Sequence, residues 1–600
     1  MKPKFFLPVL LILAVLSCWF AYDMWSLNAQ QLLWGYRPLG LFLSVWALIV
    51  LSMIRWREWR TGQAHNWTFT GLSTLSGFLL ALGFPDPIVF PIALFVAFVP
   101  LLLVEQQLRQ KGQGWLVFRY AYNAFVLWNI LSTYWVTNSA LAAGLLAITA
   151  NAALMCIPFM LFYHTRKALP QVSYLAFMAF WLAFEYAHLN WDLTWPWLTL
   201  GNGFAEVPSW VQWYEWTGVF GGSIWVLGMN VLALKIVNRY QEDRSWKWSD
   251  AVLFIGLTVV PIAFSLVLYY NYEEEGERVE VVVVQPNYEP HYEKFSIDER
   301  LQVDRCLALS KEALTTNTDY LVFPETSFGY VETDNIYNYG SIRRLRELFI
   351  DHPQLKIVTG LNAYHDLGPD ETPTKNTRER KRSNGQPAYY EVYNLGAQIS
   401  GETEEVQIYK KSKLVPGPEI FPFQEIFFFM KPLVEKLDGT TAGLGTQTKR
   451  SAFSSASGRV APVICYESVF GEYFANYVLQ GGAQLAFIMT NDGWWDNTAG
   501  HRQHLYFASL RAIETRRSIA RSANTGISAF INQRGDILQP TQYNEAIAIR
   551  GTLTLNDEVT FYVQWRDFIA RIALFLSVVL LLNAFVKRRL KKGVKPQSQI

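Results

Sequence analysis

The sequence predicts a polytopic α-helical membrane bundle joined to a layered α/β domain held outside the cytoplasm. Three observations carry this. Apolar runs of membrane-spanning length crowd the chain before residue 271 and recur once after 565. Residues 272–560 instead alternate short β-rich runs with amphipathic helical stretches. Lys and Arg collect in every second loop between the apolar runs, and cytoplasmic loops carry such an excess. At 600 residues, 51% hydrophobic and 17% charged, the chain is no soluble cytosolic enzyme, since globular domains carry about 25% charged residues. The mean hydropathy of +0.11 averages the two regions. The 52 Lys and Arg against 50 Asp and Glu leave no basic footprint for nucleic acid. Cys18, Cys156, Cys306 and Cys465 make neither a disulfide framework nor a spaced zinc site.

A span needs about 20 mainly apolar residues. Candidates are 5–22, 39–54, 69–84, 88–104, 116–136, 140–163, 172–188, 220–237, 252–270 and 568–586. The first is read as a retained helix rather than a signal peptide, because Trp19 and Phe20 follow its apolar run. Pro85, Pro87 and Pro91 predict a tight hairpin between the third and fourth. Basic residues precede the first span and follow the second, fourth, sixth, eighth and last, whereas 189–216 holds none. An even number of spans with both ends inside fits this pattern and puts 272–560 outside. Cys18 and Cys156 read as packing residues. Glu185 and His188, spaced i, i+3 near the outer end of a span, read as a solvated or interfacial pair.

In the soluble part, 279–284, 320–323, 356–359, 392–399, 405–409, 460–464 and 485–489 read as strands. Residues 297–315, 340–349 and 501–519 read as helices, and 527–531 with 537–538 as a hairpin around Gln533-Arg534-Gly535-Asp536. The charged stretch 368–386 reads as an exposed loop. Alternation of this kind predicts a layered α/β domain.

Three strand ends carry reactive residues: Phe323-Pro324-Glu325, Tyr409-Lys410-Lys411, and Ile464-Cys465-Tyr466-Glu467. One edge of a sheet is where such groups meet. A free thiol, with a pKa of about 8.5, is only a few per cent thiolate at neutral pH. A carboxylate in reach takes its proton, and an ammonium favours the thiolate and stabilises an oxyanion; the Cys465 and Tyr466 N–H groups are further donors to it. Taken singly, each motif also fits a core cysteine, a helix cap or a solvated basic run. Their order on strand ends is what makes them specific.

This ordered Glu–Lys–Cys set resembles the nitrilase superfamily of carbon–nitrogen hydrolases. The spans before it and the single span after it resemble the bacterial apolipoprotein N-acyltransferase family, over roughly residues 67–590. The motifs are Pro324-Glu325, 411–419, 464–467, 491–494, Gln503-His504, 521–526 and Pro196-Trp197-Leu198. The resemblance implies an α-β-β-α sandwich on a membrane bundle, with Glu325 as general base, Lys411 as oxyanion-stabilising lysine and Cys465 as nucleophile. It implies that Glu419 and Glu467 orient the site and that Tyr466, Asn491 and Trp494 line it. Lys410 and Lys413 flank the assigned lysine, and the spacing to Leu414-Val415-Pro416 favours Lys411. Two departures stand out: Leu-Val-Pro-Gly-Pro replaces the usual segment before Glu419, and Gly493 replaces an alanine.

The resulting division is 1–66, two additional helices; 67–271, the bundle; 272–560, the catalytic domain; and 561–600, a last span with a basic tail. The implied reaction moves an acyl group from a membrane phospholipid, through a Cys thioester, to the N-terminal amine of diacylglyceryl-modified apolipoproteins in the bacterial inner membrane. No cofactor or metal is expected, and the enzyme is expected to be a monomer. Residues 420–430, with the run Ile-Phe-Phe-Phe-Met, read as a lid or lipid-facing loop. A membrane-anchored amidase, and a transporter or receptor with an outer binding domain, are the other classes open to such a sequence.

Overall fold

The computed structural model describes residues 3–382, 385–423 and 442–593. Eight described helices are long and apolar enough to cross a membrane: Phe6–Ala29, Arg37–Thr61, Pro91–Gln110, Leu141–Ala168, Pro170–Leu189, Val219–Asp243, Trp248–Asn271 and Phe568–Leu590. The sequence predicts ten. Trp67–Leu82 is helical but has only 16 residues, and Trp115–Thr133 carries Arg119 near its start. These two helices pack so closely that a Cβ on Gly77 would lie 2.4 Å from the Ala124 carbonyl O.

The predicted span 88–104 is broken into a 3₁₀ turn, Pro91–Phe95, and a helix, Val99–Gln110. Backbone freed by a break inside an apolar bundle must find partners there. Asn230 supplies them: its Oδ1 accepts from Phe98 N at 2.7 Å and its Nδ2 donates to Leu94 O at 2.6 Å. Glu185 and His188 are buried rather than solvated. Glu185 Oε1 accepts from Trp181 Nε1 and Leu200 N, at 3.0 and 2.9 Å, while His188 Nε2 meets Asn151 Oδ1 at 2.8 Å. Cys156 is buried in the bundle core, but Cys18 is exposed on the first helix, not packed.

The α/β part holds two sheets. The first contains β1 (Arg278–Gln285), β2 (Tyr320–Val322), β3 (Phe328–Glu332), β4 (Lys356–Asp366), β5 (Arg378–Lys381), β6 (Pro387–Ser400) and β7 (Gln407–Lys410). The second contains β8 (Phe453–Ser455), β9 (Gly458–Ile464), β10 (Leu485–Thr490), β11 (Ile519–Ala523), β12 (Ala529–Ile531) and β13 (Ile537–Leu538); β14 (Ile547–Thr554) returns to the first. The strand orders are β14-β1-β2-β4-β6-β5, with β3 beside β4 and β7 beside β6, and β13-β12-β11-β10-β9-β8. The inner strands β1-β2-β4 and β9-β10-β11 are parallel.

Alternation along β1 explains the layering. Val281 and Val283 face Val463 and Ile488 of the other sheet, whereas Val282 and Val284 face Val303 and Cys306 of the helix Glu299–Ala313. The second sheet is covered by Gly471–Gly481 and Ala499–Thr515. The latter helix is buried almost all round, because Leu505, Ala508 and Ala512 meet the sheet while Phe507, Leu510 and Ile513 join the bundle core. It ends at Thr515, short of the predicted 519, where Arg516 takes φ +49° and the chain enters β11. β5 forms within the predicted loop 368–386 as an exposed edge strand.

The sandwich rests on loops at one end of the bundle. Gly35 N donates to Asp496 Oδ2 at 2.7 Å, and Gln503 Nε2 donates to Pro85 O and Ser132 O, each at 3.1 Å. Arg516 Nε donates to Glu215 Oε2 at 2.7 Å, and Tyr466 OH to Thr194 O at 2.9 Å. Of the stretch 420–430 read as a lid, 424–430 lies outside the described residues.

Candidate active site

β2, β7 and β9 deliver the three reactive side chains, each just past a strand end. Glu325 follows β2, and its backbone is pressed against β4: Gly360 N donates to Pro324 O at 3.1 Å, and a Cβ on Gly360 would sit 2.6 Å from Glu325 Cα. Only glycine permits that approach. Lys411 follows β7 and is buried, with Nζ 2.9 Å from Glu325 Oε1 and 2.7 Å from Glu419 Oε1. Glu419 Oε2 accepts from Val415 N at 2.8 Å, which folds the segment after the lysine back onto the cluster.

Cys465 is the first residue after β9 and carries φ +47°. It is buried, with 8% of its surface exposed. Burial pushes the thiol up from its ordinary value and the Glu325 carboxylate adds to this, while the Lys411 ammonium opposes them. Burial alone would lower Lys411, but Glu325, Glu419 and Cys465 together hold it well above the usual lysine range. The resting cluster is therefore a thiol beside a firmly charged ammonium. A nearby carboxylate can take the thiol proton, and the ammonium can stabilise negative charge that develops on a substrate oxygen.

The structure separates the three neighbouring lysines. Lys411 alone meets Glu325, whereas Lys410 Nζ lies 3.8 Å from the centre of the Tyr393 ring. Lys413 Nζ donates to Leu189 O at 2.7 Å, tying this segment to the bundle. Glu467 is wholly buried in a cage of donors: Tyr409, Tyr473 and Tyr477 hydroxyls at 2.9, 2.7 and 2.7 Å, and the N–H groups of Ser412 and Ile464 at 2.8 and 3.0 Å. It thus joins the end of β7 to the end of β9. Tyr466 points into the bundle, 6.3 Å from the Trp197 ring. Asn491 Oδ1 accepts from Asn524 Nδ2 at 3.2 Å, and Trp494 packs on His291 and Phe295 with centroids at 5.1 and 6.3 Å.

Two members of the cluster are not marked by the sequence reading. Asn394 Nδ2 donates to Glu325 Oε1 at 2.7 Å and to Glu419 Oε1 at 3.2 Å; an asparagine inside the apolar strand β6 was the available signal. Lys294 Nζ donates to Glu325 O and Thr326 Oγ1, at 3.1 and 3.0 Å. Burial lowers Lys294 to about 8, against the raising effect of Glu325. Nothing in its polar surroundings in the sequence marks it.

Residues 76–232 match the family described as the apolipoprotein N-acyltransferase N-terminal domain, and residues 280–557 match the carbon–nitrogen hydrolase family. Among curated proteins, an apolipoprotein N-acyltransferase of Chlorobaculum tepidum is 29% identical over 538 residues, covering 86% of this chain and 97% of that protein. That of Geobacter metallireducens is 26% identical, with 83% and 92% covered. That of Azotobacter vinelandii is 27% identical, with 88% and 97% covered. The two domain matches, one after the other along the chain, and relatives matched almost end to end, show that the chain belongs to the apolipoprotein N-acyltransferase family of the nitrilase, or carbon–nitrogen hydrolase, superfamily.

Proposed function

We propose that the protein transfers a fatty acyl group from a membrane phospholipid, through a thioester on Cys465, to the N-terminal α-amine of diacylglyceryl-Cys lipoproteins. The observation that carries this is the join of the Glu325–Lys411–Glu419 cluster to the bundle: the residue after Cys465 bonds Thr194, in the loop between two apolar helices. A nucleophile placed there meets lipids already concentrated beside it, so effective concentration replaces tight headgroup binding.

In the first half-reaction Glu325 takes the Cys465 proton and the thiolate attacks the ester carbonyl carbon. Lys411 stabilises the oxyanion, the C–O bond breaks, and the departing lysophospholipid oxygen receives the proton from Glu325. In the second, the lipoprotein amine attacks the thioester and gives its proton to Glu325. The C–S bond breaks, the amide forms, and the proton returns to the Cys465 thiolate. Glu419 and Asn394 hold the acid–base pair in register, and Glu467 sets the separation of its two strand ends. Asn491 and Trp494 belong to the wall on the β10 side. The protein works in the bacterial inner membrane with 272–560 on the outer side, as a monomer without cofactor.

Incubation of the full-length protein with phospholipid vesicles, followed by peptide mass analysis, tests this. An acyl mass on the Cys465 peptide is expected, labile to hydroxylamine, absent in Cys465→Ala and discharged by a diacylglyceryl-Cys peptide with a free amine. Acyl on Cys306 would overturn the assignment, and fast discharge by water alone would favour an amidase. Turnover retained in Cys465→Ala would show that Cys465 is not the nucleophile, and no turnover in the wild type would favour the transporter class.

A further inference from the structure

We infer that His504 is a positioning residue for Cys465, fixing the peptide carbonyl of the nucleophile through a sealed network that nothing in the proposed chemistry uses. The inference rests on the reading of Cys465 as the nucleophile. A non-glycine residue at φ +47° persists only where its surroundings impose that conformation. Here two groups hold the Cys465 carbonyl: Ser468 Oγ donates to it at 2.7 Å, and His504 Nε2 lies 3.2 Å from it. A hydroxyl has one proton and a carbonyl only accepts. With the Ser468 proton given to that carbonyl, His504 Nε2, also 2.9 Å from Ser468 Oγ, is left to donate.

The ring is fixed from behind. His504 Nδ1 lies 3.0 Å from Asp492 Oδ1 and 3.1 Å from Arg521 Nη2, and Arg521 Nη2 donates to Asp492 Oδ2. Thr490 Oγ1 donates to Asp492 Oδ1 at 2.8 Å. His504, Asp492 and Arg521 are all fully buried. Burial would raise the Asp492 carboxyl, but Arg521 and His504 hold it well below the usual range. Trp495 and the bundle residue Trp197 cover the ring, with centroids at 5.5 and 6.1 Å. The network so links the ends of β9 and β10, strand β11 and the helix Ala499–Thr515 to the one peptide plane that follows the thiol. If that plane turns, the Tyr466 N–H and the Sγ direction turn with it, away from Glu325 and Lys411.

Single-turnover acylation of Cys465 on vesicles of equimolar phosphatidylethanolamine and phosphatidylglycerol tests this in full-length protein. His504→Phe keeps the ring and loses the donor; it should slow acylation at least about tenfold, as small misplacements of reacting groups do. Its half-saturating vesicle concentration should stay within about twofold of wild type, because substrate binding is untouched. His504→Gln, which restores an N–H donor, should recover most of the rate. A wild-type rate in His504→Phe, a loss seen only in half-saturation, or equal loss in Phe and Gln variants would overturn the inference. If His504→Phe does not fold, Ser468→Ala decides, since it removes the other donor to the same carbonyl: slower acylation is expected, and an unchanged rate overturns the inference. Wild-type protein that carries no acyl on Cys465 would instead sink the parent reading.

Discussion

Lys410, Lys411 and Lys413 have the same side chain and three different surroundings. Only Lys411 is enclosed by two carboxylates, so its charge is fixed and aimed at the strand end that bears Cys465. Lys411→Met should slow acylation by about a hundredfold or more, the usual cost of losing an oxyanion donor. Lys410→Met, which removes a contact to the Tyr393 ring, should leave the single-turnover rate within about threefold of wild type. A larger loss in Lys410→Met would refute the assignment. Lys294 behaves differently, because burial lowers it to about 8 with Glu325 pulling the other way. The unfolded chain holds this proton up to about pH 10.4. Below pH 8 folding therefore carries the full penalty of the buried charge, and stability rises as pH increases from about 8 to 10.4. Lys294→Met lacks this term. The difference in Tm between wild type and Lys294→Met should shift in favour of wild type across that window, and a flat difference would contradict the burial argument.

At the scale of elements, Glu467 is the device that spaces two strand ends. It accepts from Ser412 N and Ile464 N, one past β7 and one at the end of β9, as well as from three tyrosine hydroxyls. With the Lys413 N–H, which donates to Oε1 at 3.3 Å, all six partners donate, so the site needs an acceptor on both oxygens. Glu467→Gln turns an amide N–H₂ toward a donor and should destabilise the fold by about 1.5–3 kcal/mol, the range for hydrogen bonds to charged groups. Acylation should fall with it, because Lys411 and Cys465 lie beside the two strands it joins. Thermal unfolding followed by tryptophan fluorescence measures the first effect and single-turnover acylation the second; an unchanged Tm would remove the cage from the account. The helix Ala499–Thr515 plays a second joining role. It is apolar toward both the sheet and the bundle, which explains why its hydrophobic pattern is not one-sided.

For the molecule as a whole, the loops that touch the sandwich are the ones that carry few basic residues. Gly35, Pro85, Asn138, Thr194 and Glu215 all contact it, whereas the basic clusters at 55–60, 109–111, 166–167 and 235–247 lie in the alternate loops. The positive-inside tendency predicts that the sandwich lies on the outer face. An alkaline phosphatase fused after Asn271 should be active and one fused at the C-terminus inactive. The reverse result would invert the topology.

The sequence by itself determined what is local or periodic. Apolar length marked the eight described helices long enough to span, along with two further stretches that form shorter or more polar helices; continuous apolar runs marked β1, β9 and β10, and the motifs placed Glu325, Lys411 and Cys465 just past three strand ends. Where local pattern misled, tertiary contacts had intervened. The apolar periodicity of 501–519 runs on past Thr515, but pairing with β10 converts Ile519–Ala523 to strand. The span 88–104 reads as one helix because the partner that satisfies its break, Asn230, lies more than a hundred residues away. The same holds for the site. Which lysine meets Glu325, why Asn394 stands inside a strand, and what holds Cys465 at a positive φ depend on side chains distant in sequence and adjacent only after folding. Hydrogen bonds between such groups leave no spacing to read, so only the tertiary structure decided them.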